Sequence, residues 1–103
     1  AKELLLTGRR FDAQEALDMG LIVQVCPPEV LMSKAREIAH GFAHGATIAL
    51  GMTKTLVDRS LETTFEQMSE LESFSQAVCR VSEDHREGIT AFTEKRDAIF
   101  NGR

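Results

Sequence analysis

The sequence predicts an all-α fold, and two features of its pattern support this prediction. Apolar residues recur at intervals of three and four, which places them on one face of a helix. The longest such series comprises Leu61, Phe65, Met68, Leu71, Phe74, Val78 and Val81. One β-prone run, "LIVQV" at residues 21–25, is followed by two prolines and has no second run to pair with. We therefore expect it to lie extended outside any sheet.

Capping residues mark the first two helices. "KELLLT" has a helical pattern, and Gly8 suits the left-handed position that ends a helix. Asp12 can accept a hydrogen bond from the amide of Glu15, and Glu15 completes a capping-box pattern. The second helix is thus predicted from residue 13 to about residue 19, where Gly20 ends it.

Four further helical segments are predicted after the prolines. The first runs from Glu29 to a break at Gly45, the second carries Ile48, Met52 and Leu56, and the third is the long series that ends at Val81. Ser82 can cap the last, with Glu83 and Asp84 in its first turn, where the helix dipole favours negative charge. We predict a single helical domain, residues 1–103, with a linking segment at 1–25 and a helical bundle at 28–103.

Composition excludes several functional classes. With 103 residues, 43% of them hydrophobic, the chain can form one domain with a modest core. A net charge of −4 argues against a nucleic-acid or anionic membrane partner, and no apolar run is long enough to span a bilayer. Cys26 and Cys79 lack metal or redox spacing, so reduced thiols and a cytoplasmic location are expected. The start within a helical pattern leads us to expect a piece of a longer protein.

Residue patterns typical of catalysis or metal binding are weak. His40 and His44 are spaced to share one metal ion, but no third ligand is near in sequence, and a solvated helix face explains them. No Ser or Cys has the His and carboxylate of a nucleophilic site, and the glycines occur singly rather than in a phosphate-binding loop. Glu83, Asp84 and Glu87 are explained by capping and solvation. We predict no metal site and no catalytic residue in this chain.

Phe92 and Lys95 form the one pattern that suggests a ligand. Residues three apart share a helix face, so an apolar ring and an ammonium group would project together. Such a pair could hold a ligand that is both aromatic and phosphorylated. The alternative is that Phe92 belongs to the core beside Ile89 and that Lys95 is simply solvated.

Both ends of the sequence resemble the enoyl-CoA hydratase/isomerase (crotonase) family. "ELLLTGRRFDAQEALDMGLIVQV", residues 3–25, is similar to the segment that follows the family's catalytic core, and "SEDHREGITAFTEKRDAIFNG", residues 82–102, is similar to its closing motif. Lys54 stands where the family often has a lysine in the middle helix. Two departures are Gly45-Ala46 and Ala98, where the family often has proline.

The resemblance implies a role that differs from that of a complete enzyme. In the family the oxyanion-hole amides and catalytic carboxylates lie in an N-terminal β/α spiral domain, which this chain would lack. The chain would be the helical C-terminal trimerisation domain, and the trimers commonly pair into hexamers. Residues matching Phe92 and Lys95 often help to hold the adenine-3′-phosphate end of coenzyme A. No cofactor is implied beyond the coenzyme A of the acyl-CoA or enoyl-CoA substrate.

Two functions from different classes therefore stand. The first is the assembly and CoA-edge domain of an enzyme of fatty acid metabolism that hydrates or isomerises enoyl-CoA, with the isolated chain inactive. The alternative is a non-catalytic crotonase-like or helical binding and oligomerisation module. The residues that distinguish these functions lie upstream of the matched segments.

Overall fold

All the regular elements of the protein are helical. The computed structural model describes residues 1–103. Its six α-helices are α1 (Lys2–Thr7), α2 (Ala13–Asp18), α3 (Leu31–Ala43), α4 (Thr47–Arg59), α5 (Phe65–Val81) and α6 (Glu83–Glu94). A 3₁₀ turn, Pro28–Val30, leads into α3, and residues 21–27 form neither helix nor strand. The predicted all-α fold is confirmed.

The chain divides into two compact units, Ala1–Ala35 and Arg36–Arg103. The first holds α1, α2 and the start of α3, and the second holds the rest of α3 with α4, α5 and α6. The proposed single domain, with its division into 1–25 and 28–103, stays a prediction. None of the helices is both long and apolar enough to cross a membrane.

In the first unit, both predicted helix caps are present. Gly8 takes the left-handed conformation, with φ 62° and ψ 16°, and its amide donates to the carbonyl of Leu4 at the end of α1. Asp12 accepts a 2.8 Å hydrogen bond from the amide of Glu15 at the start of α2. These short helices thus begin and end where the sequence predicts.

Arg9 joins the two short helices through an ion triad. Its Nε lies 2.7 Å from the carboxylate of Glu3, and its Nη2 lies 2.6 Å from that of Glu15. The hydrogen bond from Arg9 is the largest cause of a lowered pKa at Glu3. Because Glu15 turns its carboxylate to Arg9, it does not return to the amide of Asp12, and the predicted capping box is only half formed.

In the second unit, α5 packs against both α4 and α6. A reciprocal capping box begins α5: the hydroxyl of Thr64 accepts from the amide of Gln67, and the Gln67 side chain accepts from the amide of Thr64. The apolar spacing predicts that Leu61 belongs to the face of this helix, and this prediction is wrong. Leu61 lies in the turn before the cap and is 96% exposed.

Little apolar surface is buried within the chain. Ala16 and Ala91 are its only buried hydrophobic residues, and no large side chain is fully enclosed. The accessible surface is 8713 Å², whereas a folded monomer of 11.4 kDa typically exposes about 5,800 Å². The apolar side of α5 remains open at Phe65, Phe74 and Val81. Exposed apolar area on this scale indicates surfaces that need another partner.

We expect the isolated chain to self-associate, because water disfavours this much exposed apolar surface. Light scattering across a dilution series should show a mean mass that rises with concentration. Phe65→Gln combined with Phe74→Gln, which removes two exposed rings from α5, should lower that mass. Glu66→Gln on the same helix is the control and should leave it unchanged. A chain that stays monomeric at every concentration would contradict this expectation.

Candidate functional site

Phe92 lies near the carboxyl end of α6 and opens onto a cavity. Its side chain is 86% exposed, so the alternative that it belongs to the core does not hold within this chain. The cavity, of about 380 Å³, is lined by Phe92 and Ile89 of α6, by Ile48 at the start of α4 and by Phe100 of the C-terminal tail, among others. A mostly apolar recess with an exposed ring in its lining suits a flat apolar group.

Lys95 lies outside the helix that carries Phe92. Helix α6 ends at Glu94, and Lys95 takes the left-handed conformation, with φ 57° and ψ 41°. It is the only non-glycine residue of the chain with a positive φ. The helical spacing that was predicted to put Phe92 and Lys95 on one face therefore does not apply. Lys95 is absent from the residues that line the Phe92 cavity.

The turn at Lys95 has a defined hydrogen-bond pattern. The amide of Lys95 donates to the carbonyl of Phe92, and the amide of Arg96 donates to the carbonyl of Ala91. This pair of bonds is the Schellman motif, in which the left-handed residue is usually glycine. The Lys95 side chain is exposed, and its ammonium takes part in none of the ion pairs of the chain.

Arg96, the next residue, is bound by two carboxylates. Its Nη1 and Nη2 lie 2.6 Å and 2.9 Å from the two oxygens of Glu87, and its Nε lies 2.6 Å from Glu94. Glu87 also accepts a 2.9 Å hydrogen bond from the amide of Ile99. The Arg96 hydrogen bond, followed by that from Ile99, lowers the pKa of Glu87 to about 2. The pair's contribution to stability is thus complete above pH 4.5 and is lost as the pH falls through about 2.

Asp84 fastens the end of the chain to the start of α6. Its side chain is buried, and its two oxygens accept hydrogen bonds from the amides of Asn101 and Gly102, at 2.7 Å and 2.9 Å. Its own amide donates to the carbonyl of Arg103 at 3.0 Å. Buried polar groups are stable only when they are hydrogen-bonded. These three hydrogen bonds fix the course of residues 101–103. We call this C-terminal segment, held by Asp84, the tail latch.

Gly102 fits the tail latch for two reasons. Its φ of 71° favours glycine, and a Cβ atom built on it would lie 2.5 Å from the hydroxyl oxygen of Thr47, the first residue of α4. A contact this short between nonbonded atoms forces one of them to move. The tail therefore touches the first turns of α4 and α6 at a place where only a glycine backbone fits.

The sequence predicts Phe92 and Lys95 as site residues, and this stays a prediction. For Asp84 and Glu87 it predicts capping and solvation, whereas they bind the tail latch and the Arg96 guanidinium. The error has a physical reason, since their partners lie 9 to 18 residues away, beyond the reach of helical periodicity. The sequence offers one signal for these contacts. It is a carboxylate followed by an arginine and by a C-terminal segment that contains a glycine.

The remaining candidate residues do not form a further site. His44 Nδ1 lies 2.8 Å from the carbonyl of His40, which leaves only its Nε2 available. No group of three His, Cys, Asp or Glu side chains is placed to hold a metal ion, and the expected lack of a metal remains a prediction. Cys26 and Cys79 are unpaired and half-buried. Lys54 pairs with Asp58 at 2.7 Å.

Comparison with known proteins matches the whole chain to one family. The family model described as enoyl-CoA hydratase/isomerase matches residues 1–103. The mitochondrial enoyl-CoA hydratase of Pongo abelii is 38% identical over 100 residues, covering 97% of this chain and 34% of that protein. The 1,2-epoxyphenylacetyl-CoA isomerase of Escherichia coli is 33% identical over 103 residues, covering 100% of this chain and 39% of that protein.

A solved structure of the same family superposes on this chain. Enoyl-CoA hydratase subunit I from Geobacillus kaustophilus superposes with a TM-score of 0.91 at 33% identity, covering 98% of this chain and 39% of that one. The chain thus spans between a third and two fifths of the length of the relatives described here.

We expect Gly102→Ala to release the tail latch, because the added methyl group meets Thr47 and the residue must keep a positive φ. Hydrogen exchange of the C-terminal peptide should accelerate more than about tenfold, which corresponds to 1.4 kcal/mol. Gly8→Ala is the matched control, since Gly8 also has a positive φ but faces open space. It should leave the C-terminal peptide unchanged.

Adding Thr47→Ala to Gly102→Ala tests whether the contact with the Thr47 hydroxyl causes the release of the tail latch. Removing the hydroxyl leaves no atom of Thr47 closer than 3.9 Å, so part of the protection should return. Equal exchange in Gly102→Ala and the unaltered protein would show that the tail is not held as described.

Proposed function

Because the chain belongs to the enoyl-CoA hydratase/isomerase (crotonase) family, we propose that it is the helical C-terminal part of an enzyme that acts on enoyl-CoA thioesters. In this proposal it contributes to subunit assembly and to one edge of the coenzyme A site. The observation that carries the proposal is the family match over all of residues 1–103. This chain covers only about a third of the Pongo abelii hydratase.

The proposed edge of the coenzyme A site consists of Phe92 and Lys95. The exposed ring of Phe92, which lines an apolar cavity, offers contact area for the purine. The unpaired ammonium of Lys95 offers a point charge to a phosphate group. Arg96 cannot serve in the same way, since its guanidinium is bound by Glu87 and Glu94. Ring and ammonium act as two separate contacts, because Lys95 does not line the cavity.

The reaction itself is assigned to residues outside this chain. In the proposed enzyme a thioester enolate would be stabilised by amide donors of an oxyanion hole, and carboxylates would move the proton. Hydration and isomerisation both pass through such an enolate, and the two relatives described above are named for a hydratase and an isomerase. The substrate supplies coenzyme A, and the proposal requires no further cofactor.

Assembly is the second role that we propose for this chain. The exposed apolar faces, including Phe65, Phe74 and Val81 of α5, would be covered by the catalytic domain and by neighbouring subunits. We propose trimers, or hexamers made of two trimers, in the cytoplasm and a place in fatty acid metabolism.

A non-catalytic member of the same family is the second candidate function. In both candidates Asp84 and Glu87 bind the tail and Arg96 rather than a substrate, so the catalytic positions outside this chain decide between the two. Two acidic residues at the family's catalytic positions, in the sequence preceding this segment, would identify an enzyme. Their absence would identify a binding module.

We expect the isolated 103-residue chain to lack hydratase and isomerase activity, because no oxyanion hole or free acid–base pair lies within it. The purified chain is assayed with a short enoyl-CoA against a no-protein control and a full-length family hydratase. Turnover above the control that survives repurification would overturn the division of roles proposed here.

In the full-length enzyme, Lys95→Ala is expected to raise KM for acyl-CoA with kcat nearly unchanged, because the phosphate contact is the same in ground and transition states. An exposed charged contact is worth about 1 kcal/mol, so KM should rise several-fold. The penalty should vanish with a pantetheine thioester that lacks the 3′-phosphate nucleotide. Lys2→Ala, which removes an exposed lysine from α1, is the control. An equal penalty for both thioesters would overturn the assigned contact.

A further inference from the structure

The conformation of Lys95 needs support from its neighbours. A left-handed backbone is unfavourable for a residue other than glycine, because Cβ comes too close to the following carbonyl oxygen, and Lys95 is the one such residue in the chain. Lysine otherwise favours the right-handed helix, which would extend α6 by one residue. That change would redirect the Cα–Cβ bond of Lys95 and move the region that its ammonium can reach. The surrounding structure must therefore select the left-handed state.

Glu87 is placed to make this selection. Its carboxylate binds the Arg96 guanidinium with two hydrogen bonds, and Arg96 follows Lys95 directly. Two-point binding of this kind fixes orientation as well as position. The amide of Arg96 in turn closes the Schellman turn on Ala91. Holding Arg96 against Glu87 thus holds the backbone on the carboxyl side of Lys95.

The same carboxylate also reaches the other part of the proposed site. Its Oε1 accepts the amide hydrogen of Ile99 at 2.9 Å, and Ile99 precedes Phe100, which lines the Phe92 cavity. One side chain on α6 therefore connects the turn that carries Lys95 to the tail segment that forms a wall of the cavity. Glu94 binds Arg96 as well, but through one oxygen and at a more exposed position.

We propose that Glu87 is a positioning residue for the nucleotide end of coenzyme A, acting through Arg96 to hold Lys95 in its left-handed conformation. This inference rests on the proposed function, because it takes the Lys95 ammonium as the phosphate contact. Glu87 itself does not touch the ligand. Its carboxylate stays ionised well into the acid range, since Arg96 and the Ile99 amide lower its pKa from 4.5 to about 2.

The test is a double-mutant cycle in the full-length enzyme. Glu87→Gln keeps the size of the side chain but removes its charge, and Glu83→Gln on the same helix is the control for charge alone, since Glu83 is exposed. Each variant is assayed with an acyl-CoA and with the matching pantetheine thioester. We expect Glu87→Gln to raise KM for the acyl-CoA about two- to fivefold, with kcat and both constants for the pantetheine thioester unchanged.

In the Lys95→Ala background, Glu87→Gln should raise KM by a clearly smaller factor than it does alone, because the part of its effect that passes through Lys95 is absent and only its hydrogen bond with the Ile99 amide remains to act. An undiminished Glu87→Gln penalty in that background overturns the inference. So does an acyl-CoA KM that Glu87→Gln leaves unchanged while Lys95→Ala raises it. If Lys95→Ala itself gives no penalty specific to acyl-CoA, the phosphate contact fails and the inference fails with it. A loss of pantetheine thioester activity in Glu87→Gln identifies a general folding role and also overturns it.

Discussion

The arrangement of the second unit depends on the buried carboxylate of Asp84. A carboxylate in the first turn of a helix is favoured by the helix dipole, but one that is withdrawn from water also needs hydrogen-bond donors. The helix offers only its own first amides, and Asp84 takes its donors from Asn101 and Gly102 instead. The end of the chain is therefore required at the start of α6. Once it lies there, Phe100 reaches the cavity and Ile99 reaches Glu87.

A second constraint is that the chain has many more apolar side chains than it buries within itself. Two alanines are the only buried hydrophobic residues, although 43% of the chain is hydrophobic. Local devices such as the Thr64 capping box and the Arg9 ion triad define where helices begin and how they join, but they bury little surface. Local hydrogen bonds thus specify the elements of this chain, while most of its apolar surface is not covered within it. That division is what the proposed assembly role would require.

Sequence reasoning succeeded where the determining interaction is short-range. Gly8, Asp12 and Ser82 were placed correctly because a cap acts on amides within four residues. It failed for Leu61, because the apolar spacing extends to residues that lie before the capping box that begins α5. The partners of Asp84 and Glu87 were not predicted either, because they depend on how the C-terminal tail folds back onto α6. The assignment of Phe92 and Lys95 to a ligand site stays a prediction, and their relative geometry could not be predicted, because helical spacing does not hold across the left-handed Lys95.

Lys95 and Arg96 show how adjacent cations acquire different roles. In the sequence they form a basic pair, and either could meet a phosphate. The planar guanidinium of Arg96 matches a carboxylate at two points, so Glu87 binds it and removes it from the set of available charges. The ammonium of lysine has no such two-point geometry and remains a mobile, hydrated point charge. The left-handed conformation of Lys95 separates the two side chains. The arginine is directed toward α6, and the lysine is left exposed to solvent. The basic pair thus consists of one structural cation and one cation free to bind a ligand.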